Sequence, residues 1–405
     1  MSGPLAHLRI LDMSRVLAGP WASQLLADLG AEVIKVEKPG QGDDTRAWGP
    51  PFLKGRDGAD TRESAYYIST NRGKSSVAVD IAHPEGQEVV RRLAGRCDAV
   101  LENFKVGGLA RYGLDYTALK AVKPDIVYCS ITGFGQDGPY AERAGYDYLV
   151  QGMGGLMSLT GAPDGEPMKV GVAITDIFTG MYATVAVLAA LAHRDRTGEG
   201  QHIDLALLDV QVAVLANQAA NYLIGGAVPP RLGNAHPNIV PYQAFASSDG
   251  YVILAVGNDG QFARFCEVAG RPDWAADPRF ATNAQRVRHR DELLPMLQAV
   301  MASRPSTDWI DRLEEKGVPC GPINDLAAVF DDPQVRHRGM AVSMEHPLAG
   351  EVTVVANPIR LSTTPVTYDR APPALGADTT DVLGRLLGLD GAALARLQAG
   401  GVIGM

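Results

Sequence analysis

The chain has 405 residues, enough for a large core and two domains, because a single core stops growing well before this length. With 46% apolar and 20% charged residues it is an ordinary globular composition, and a net charge of −9 speaks against the basic face of a nucleic-acid binder. Cys97, Cys129, Cys266 and Cys320 lie far apart with no CxxC pair, which reads as reduced thiols in a cytoplasmic protein, not a zinc site or a disulfide framework.

The first residues lack a basic segment followed by an apolar one, so no targeting signal is expected. Residues 8–13 are a short apolar strand, 20–29 have helical spacing closed by Gly30, and 31–37 (AEVIKVE) read as a second strand. Strand, helix and strand in so few residues form a βαβ unit, whose strands pair in parallel. The alternation continues through 75–80, 84–94, 99–102 and 126–130, which predicts an α/β fold with a doubly wound parallel sheet. A glycine-rich passage at 152–161 precedes a long helix from Asp176 to Arg194. Its greasiest part, 177–192, carries Thr179, Gly180 and Thr184 and falls short of the ~20 apolar residues of a membrane span, so it reads as a buried helix. Residues 193–209 read as a polar turn, a strand and a further helix. The texture changes at GGAVPP (225–230), where a domain boundary is placed. Strand 250–256 and amphipathic helices 291–301 and 308–316 predict a smaller α+β domain over 230–332. The large domain then comprises 1–225 plus 333–405, the latter rich in Pro and ending in a helical pattern at 378–387.

A βαβ start raises dinucleotide binding, which needs G-x-G-x-x-G at the first strand-to-helix turn. That turn reads SRVLAGPWAS (14–23), with Gly19 alone, so nicotinamide chemistry is disfavoured. There is no G-x-S-x-G elbow, and the eight histidines form no HExxH-type pair, which leaves no metal site to assign.

Six blocks carry more information together than singly. They are VLAGPWASQLLADLGAEVIKVEKPGQGDDTR (16–46), NRGKSSVAVD (71–80), ENFKVGGLARYGLDY (102–116), ITGFGQDGPYAERAGYD (131–147), GVAITDIFTGMYA (171–183) and HRDRTGEGQHIDLALLD (193–209). In this order and spacing the chain resembles the family III CoA-transferases of CaiB/BaiF type. That group includes formyl-CoA:oxalate transferases and α-methylacyl-CoA racemases.

The resemblance implies a nucleophile at Asp176, in ITDIFTG. The chemistry suits a carboxylate: attack on a thioester gives a mixed anhydride, which CoA thiolate reopens to an aspartyl-CoA thioester, so the bond energy is kept. Serine would form an ordinary ester, from which CoA is not readily regained. An Asp opening a helix is ordinarily a cap, and that reading stands beside the catalytic one. Racemase relatives place a His in a GHD triplet; here the triplet is GYD, with Tyr146 before Asp147. A phenol with a pKa of about 10 is a poor proton carrier at neutral pH, which counts against a 2-methylacyl-CoA racemase or epimerase. Tyr146 is placed beside the thioester or in plain packing. A catalytically silent CoA-binding protein is the third reading.

By the same resemblance, Val16, Leu17 and Ala18 receive the adenine end of CoA, while Lys38, with Arg46 assisting, faces the phosphates. Thr70, Asn71, Arg72, Gly73, Asn103, Phe104, Lys105, Arg111 and Asp147 match further CoA positions. A solvated surface lysine is the competing reading for Lys38 and Lys105. The block GNAHPNIVPYQAF (233–245) lacks the glycine run of the oxalate enzymes. With 317–335 and MEHPLAG (344–350) it looks closer to dicarboxylate transferases such as succinyl-CoA:glutarate transferase. His236 or Asn238 is then placed at a distal carboxylate, with a turn-forming role as the alternative. The expected enzyme takes acyl-CoA, succinyl-CoA-like, and a free carboxylic acid, with dicarboxylate specificity following from that likeness alone. It holds no tightly bound cofactor, coenzyme A being a substrate, and forms an interlocked homodimer, with no nucleic-acid or membrane partner.

Overall fold

The computed structural model describes residues 3–404. Arg9–Asp12 (β1), Glu32–Glu37 (β2), Lys74–Val79 (β3), Ala99–Glu102 (β4), Val127–Thr132 (β5), His202–Ala206 (β6) and Ile403–Gly404 (β7) form one sheet, in the order β7-β3-β2-β1-β4-β5-β6. Strands β1 to β6 are parallel, and β7 runs antiparallel to β3 at the edge. The predicted α/β class with a parallel sheet is what the molecule adopts. The chain winds outward from β1 to β3, then returns to place β4 on the other side of β1. Such a reversal leaves a crevice at the carboxyl ends of β1 and β4.

Both faces of the sheet are covered, which explains strands that are buried nearly throughout rather than alternating. On one face Leu11, Ile34 and Val100 meet Val89, Val90 and Leu93 of helix Pro84–Ala94 (α2). Opposite, Ile10, Val33 and Leu101 pack on Ala22 and Leu26 of helix Ala18–Asp28 (α1). The same core takes Ala183, Val187 and Leu191 of helix Ile174–Thr197 (α4), which follows the short helix Asp147–Met153 (α3). Helices α1 and α4 cross closely. A Cβ on Gly180 would lie 2.7 Å from the Ala18 carbonyl oxygen, so the glycine that interrupts the apolar run is required by the crossing. By length and composition α4 is long and apolar enough to cross a membrane, but its inner face is core.

The described chain divides into two compact units. The first holds residues up to Gly154, Gly171–Val214 and the chain from Pro333 onward; the second holds Gly155–Val170 and Leu215–Asp332. The cut after Val214 lies earlier than the texture change at 225–230, because helix Ala216–Gly225 belongs to the second unit. That unit has an antiparallel sheet of Tyr242–Ala246, Tyr251–Ala255 and Cys320–Gly321. Its helices pack Phe262, Phe265, Leu297 and Trp309 against Phe245 and Leu254, an α+β arrangement.

Candidate active site

The crevice is shaped by the turn after β1. Val16 has φ +72°, a left-handed conformation that a β-branched residue rarely adopts. Hydrogen bonds hold it there. The Val16 N–H donates to Asp43 Oδ1 (3.2 Å), and the Asn103 side chain takes both the Arg15 N–H (2.9 Å) and the Arg15 carbonyl (2.6 Å). Behind the turn, fully buried Lys35 donates to the Ser14 carbonyl (2.8 Å) and pairs with Asp43 at 2.9 Å. Burial alone would push neighbouring Asp12 up, but Lys74 and Lys35, with Ser14 and Ser23, bring it down to about 2. The turn thus rests on a paired, buried charge network rather than on solvent-exposed chain.

In front of the turn lies a cleft of about 890 Å³, lined by Val16–Ala18, Asn103–Lys105, Tyr146 and Asp176. Asp176 sits in the first turn of α4 and is 9% exposed. It does not cap the helix. Ala173 at the N-cap offers no side-chain acceptor, and Asp147 Oδ2 takes the N–H groups of Thr175 (2.8 Å) and Asp176 (3.2 Å) instead. Gln151 Nε2 holds the other Asp147 oxygen at 2.6 Å. Among the described residues the Asp176 carboxylate accepts no hydrogen bond, and burial first, then the Asp147 charge, push its pKa up to about 7. Tyr66 registers the same field: burial and the Asp176 and Asp147 carboxylates push its phenol up to about 12. The arrangement offers a desolvated carboxylate with open lone pairs to whatever enters the cleft.

A second cavity of about 1060 Å³ adjoins the first, the two sharing Arg15, Asp44 and Phe104. Lys38 and Arg111 line it, both exposed. Both halves of this double cleft carry charges of either sign: Arg15, Lys105 and Arg143 stand with Asp176 in the first, and Lys38 and Arg111 with Asp44 and Asp80 in the second.

Residues 5–379 match the family described as CoA-transferase family III. The chain belongs to the family III CoA-transferases. It is 55% identical to a succinate–glutarate CoA-transferase of Agrobacterium fabrum, over 95% of this chain and 96% of that one. It is 45% identical to the succinyl-CoA:glutarate CoA-transferase of Homo sapiens, over 99% and 90%. Among solved structures, a CaiB/BaiF family protein from Brucella suis superposes with a TM-score of 0.83 at 50% identity, covering 95% of this chain and all of that one.

This CoA-transferase brings Val16, Leu17, Ala18, Asn103, Phe104, Lys105, Tyr146 and Asp176 to one cleft, and Lys38 and Arg111 to its neighbour. Tyr146 is 64% exposed. Asp147 stands behind Asp176 as its helix cap. Asn103 lines the cleft, but its amide is committed to Arg15. Other expected site residues are engaged elsewhere. Arg46 lines neither half of the double cleft, and its guanidinium is buried, donating to Glu37, to Glu63 and to the Tyr67 hydroxyl. Thr70, Asn71, Arg72 and Gly73 line neither half of the double cleft. Arg72 holds Asp28 through two bonds, Asn71 accepts from Lys74 Nζ, Gly73 N–H donates to the Arg370 carbonyl, and Thr70 is buried. His236 and Asn238 lie in the second unit, in a bonded turn: Asn238 N–H donates to His236 Nδ1, and Asn217 and Asn221 donate to Asn238 Oδ1. Arg15 and Arg143, which line the Asp176 cleft, were not singled out in the sequence; a lone Arg in the otherwise apolar turn SRVLAG was the available signal for the first.

Proposed function

We propose that this CoA-transferase moves CoA from succinyl-CoA to glutarate or a dicarboxylate of similar length, with Asp176 as nucleophile. One observation carries the nucleophile: Asp147 performs the capping, which leaves the Asp176 carboxylate unbonded at the wall of the cleft. The donor and acceptor rest on the names of the A. fabrum and human relatives.

An Asp176 oxygen attacks the thioester carbonyl, the C–S bond breaks, and CoA thiolate leaves an acyl-aspartyl anhydride. The thiolate attacks the Asp176 carboxyl carbon, giving an aspartyl-CoA thioester and releasing succinate. The acceptor carboxylate attacks that thioester carbon, thiolate leaves again, and its attack on the acceptor's carbonyl yields the new acyl-CoA and free Asp176. No net proton moves, and no bond energy is lost to water. The desolvated site favours this outcome, because a carboxylate stripped of its hydration is a stronger nucleophile. Lys38 and Arg111, which line the second cavity, hold the phosphates of CoA in this reading, and Lys105 stands on the wall of the Asp176 cleft.

We place the enzyme in the cytoplasm as a homodimer. Phe178, Met181, Tyr182 and Val185 form an exposed apolar stripe at i, i+3, i+4 and i+7 on the outer face of α4, which favours a covered face.

Incubation with succinyl-CoA followed by peptide mass spectrometry should find a CoA adduct on Asp176. Asp176→Ala should lose on the order of 10³-fold in turnover or more. Intact turnover with Asp176 unmodified would overturn the assignment.

A further inference from the structure

The loop 103–106 is the wall between the Asp176 cleft and a third cavity of about 630 Å³ behind it, since Lys105 and Val106 line both. With open space on either side, the loop's shape depends on its anchors. Asn103 grips the Arg15 main chain, and the Arg15 guanidinium lies 5.3 Å over the Phe104 ring, so loop and strained turn stand or shift together. The anchor from behind is Glu102: its Oε2 accepts the Phe104 N–H at 2.7 Å.

Glu102 is buried, at the end of β4, and does not face the Asp176 cleft. Ser130, also buried and paired in register with Glu102 across β4 and β5, lowers the proton affinity of the Glu102 carboxylate and lies 2.9 Å from His202 Nε2. His202 reaches the surface, with the Tyr116 ring stacked on it at 5.1 Å. One side chain from each of the neighbouring strands β4, β5 and β6 thus leads from a buried carboxylate to the surface. We propose that this Glu102–Ser130–His202 chain positions the 103–106 loop for acyl-CoA, with Glu102 acting through Phe104 and exchanging its proton through Ser130. The inference rests on the assignment of the double cleft to CoA.

With Glu102 ionised, Ser130 donates to it and accepts from His202 Nε2–H. With Glu102 protonated, the direction reverses: Glu102 donates to Ser130, Ser130 donates to Nε2, and His202 carries its proton on Nδ1. The Phe104 N–H then faces a neutral acceptor and is held less firmly. Burial pushes Glu102 up to about 7, against the opposing bonds from Ser130 and the Phe104 N–H, so the exchange falls in the neutral range. Other titratable groups stand around it. Burial pushes Tyr128 far up and Cys129 up to about 12, both of β5, while His202 is shifted down by burial despite Asp204. Tyr116, and Lys105 and Asp115 of opposite sign, line the same cavity.

The test is CoA affinity by calorimetry in an Asp176→Asn background, which removes the other carboxyl titrating in this range. Adding Glu102→Gln, an isosteric mimic of the protonated acid, should weaken CoA about fivefold near pH 8 and leave it unchanged near pH 6. Taking the ratio of the two variants at each pH cancels titration of CoA's own phosphates. Ser130→Ala, which removes a donor to the carboxylate, should move the midpoint of the pH transition upward. This variant decides the matter if thermal melting shows Glu102→Gln to be misfolded. A ratio of one near pH 8, an equal loss at both pH values, or an unmoved midpoint in Ser130→Ala overturns the proposal. Absence of CoA binding at any pH overturns the cleft assignment as well, whereas a missing adduct on Asp176 beside a normal CoA titration sinks the nucleophile alone.

Discussion

Asp176 and Asp147 are two carboxylates at one helix start, and their environments divide the work. Asp147 has three hydrogen-bond donors, while Asp176 has burial and a like charge. A carboxyl pushed from 3.8 to about 7 is bound to its proton more tightly in the fold than in the open chain. Its contribution to stability is therefore full below about pH 4 and is lost as pH rises through about 7. Asp176→Asn stays neutral throughout, so it should be more stable than the parent near pH 8, by on the order of 2–4 kcal/mol, with the gap closing towards pH 4. Thermal unfolding at both ends of that range reads the difference, and equal stability near pH 8 would mean that the carboxylate is well solvated. With Asp176 as the proposed nucleophile, the same titration governs the rate. Turnover should rise with pH through about 7, since only the ionised form attacks. Asp147→Asn keeps an oxygen for the helix N–H groups but removes the charge, so the acid limb of the pH–rate profile should move to lower pH. An unmoved limb would assign the whole shift to burial.

Helix α4 illustrates how much of an element is legible in its residues. Its existence and length follow from an unbroken helical pattern, yet it begins at Ile174, two residues before the expected Asp176. The acceptor that allows the earlier start is Asp147, 28 residues away from Thr175, which no local pattern announces. Gly180 has a similar history: an apparent weakness in an apolar run is the point where α1 crosses. The outer stripe of the helix carries the next prediction. Val185, 62% exposed, should accept Arg without loss of the folded monomer, while Val185→Arg shifts the sedimentation equilibrium from dimer to monomer by tenfold or more. If the variant sediments as the parent does, this face is not where the copies meet.

At the scale of the whole molecule, the reversal of strand order at β1 places the turn 14–18 and the loop 103–106 side by side, although some 88 residues separate Arg15 from Asn103. Residue types and periodicity sufficed for the strands of the large sheet and for the α/β class, because side-chain pattern dictates burial locally, while the six ordered motifs carried the family by resemblance. The same resemblance marked Asp176 as a candidate, where the residue alone reads as a helix cap. Arg46 and Arg72 mark where such reading stops. Both are arginines in family blocks, and nothing in their neighbours reveals that Glu37, Glu63 and Asp28 consume them. Whether a charge is free for a ligand depends on which distant strands and helices fold against it. The sequence by itself therefore determined the architecture and the chemical character of the groups available. Only the tertiary structure decided which of those groups are spent on each other and which remain open to a substrate, because pairing and desolvation belong to contacts between segments far apart along the chain.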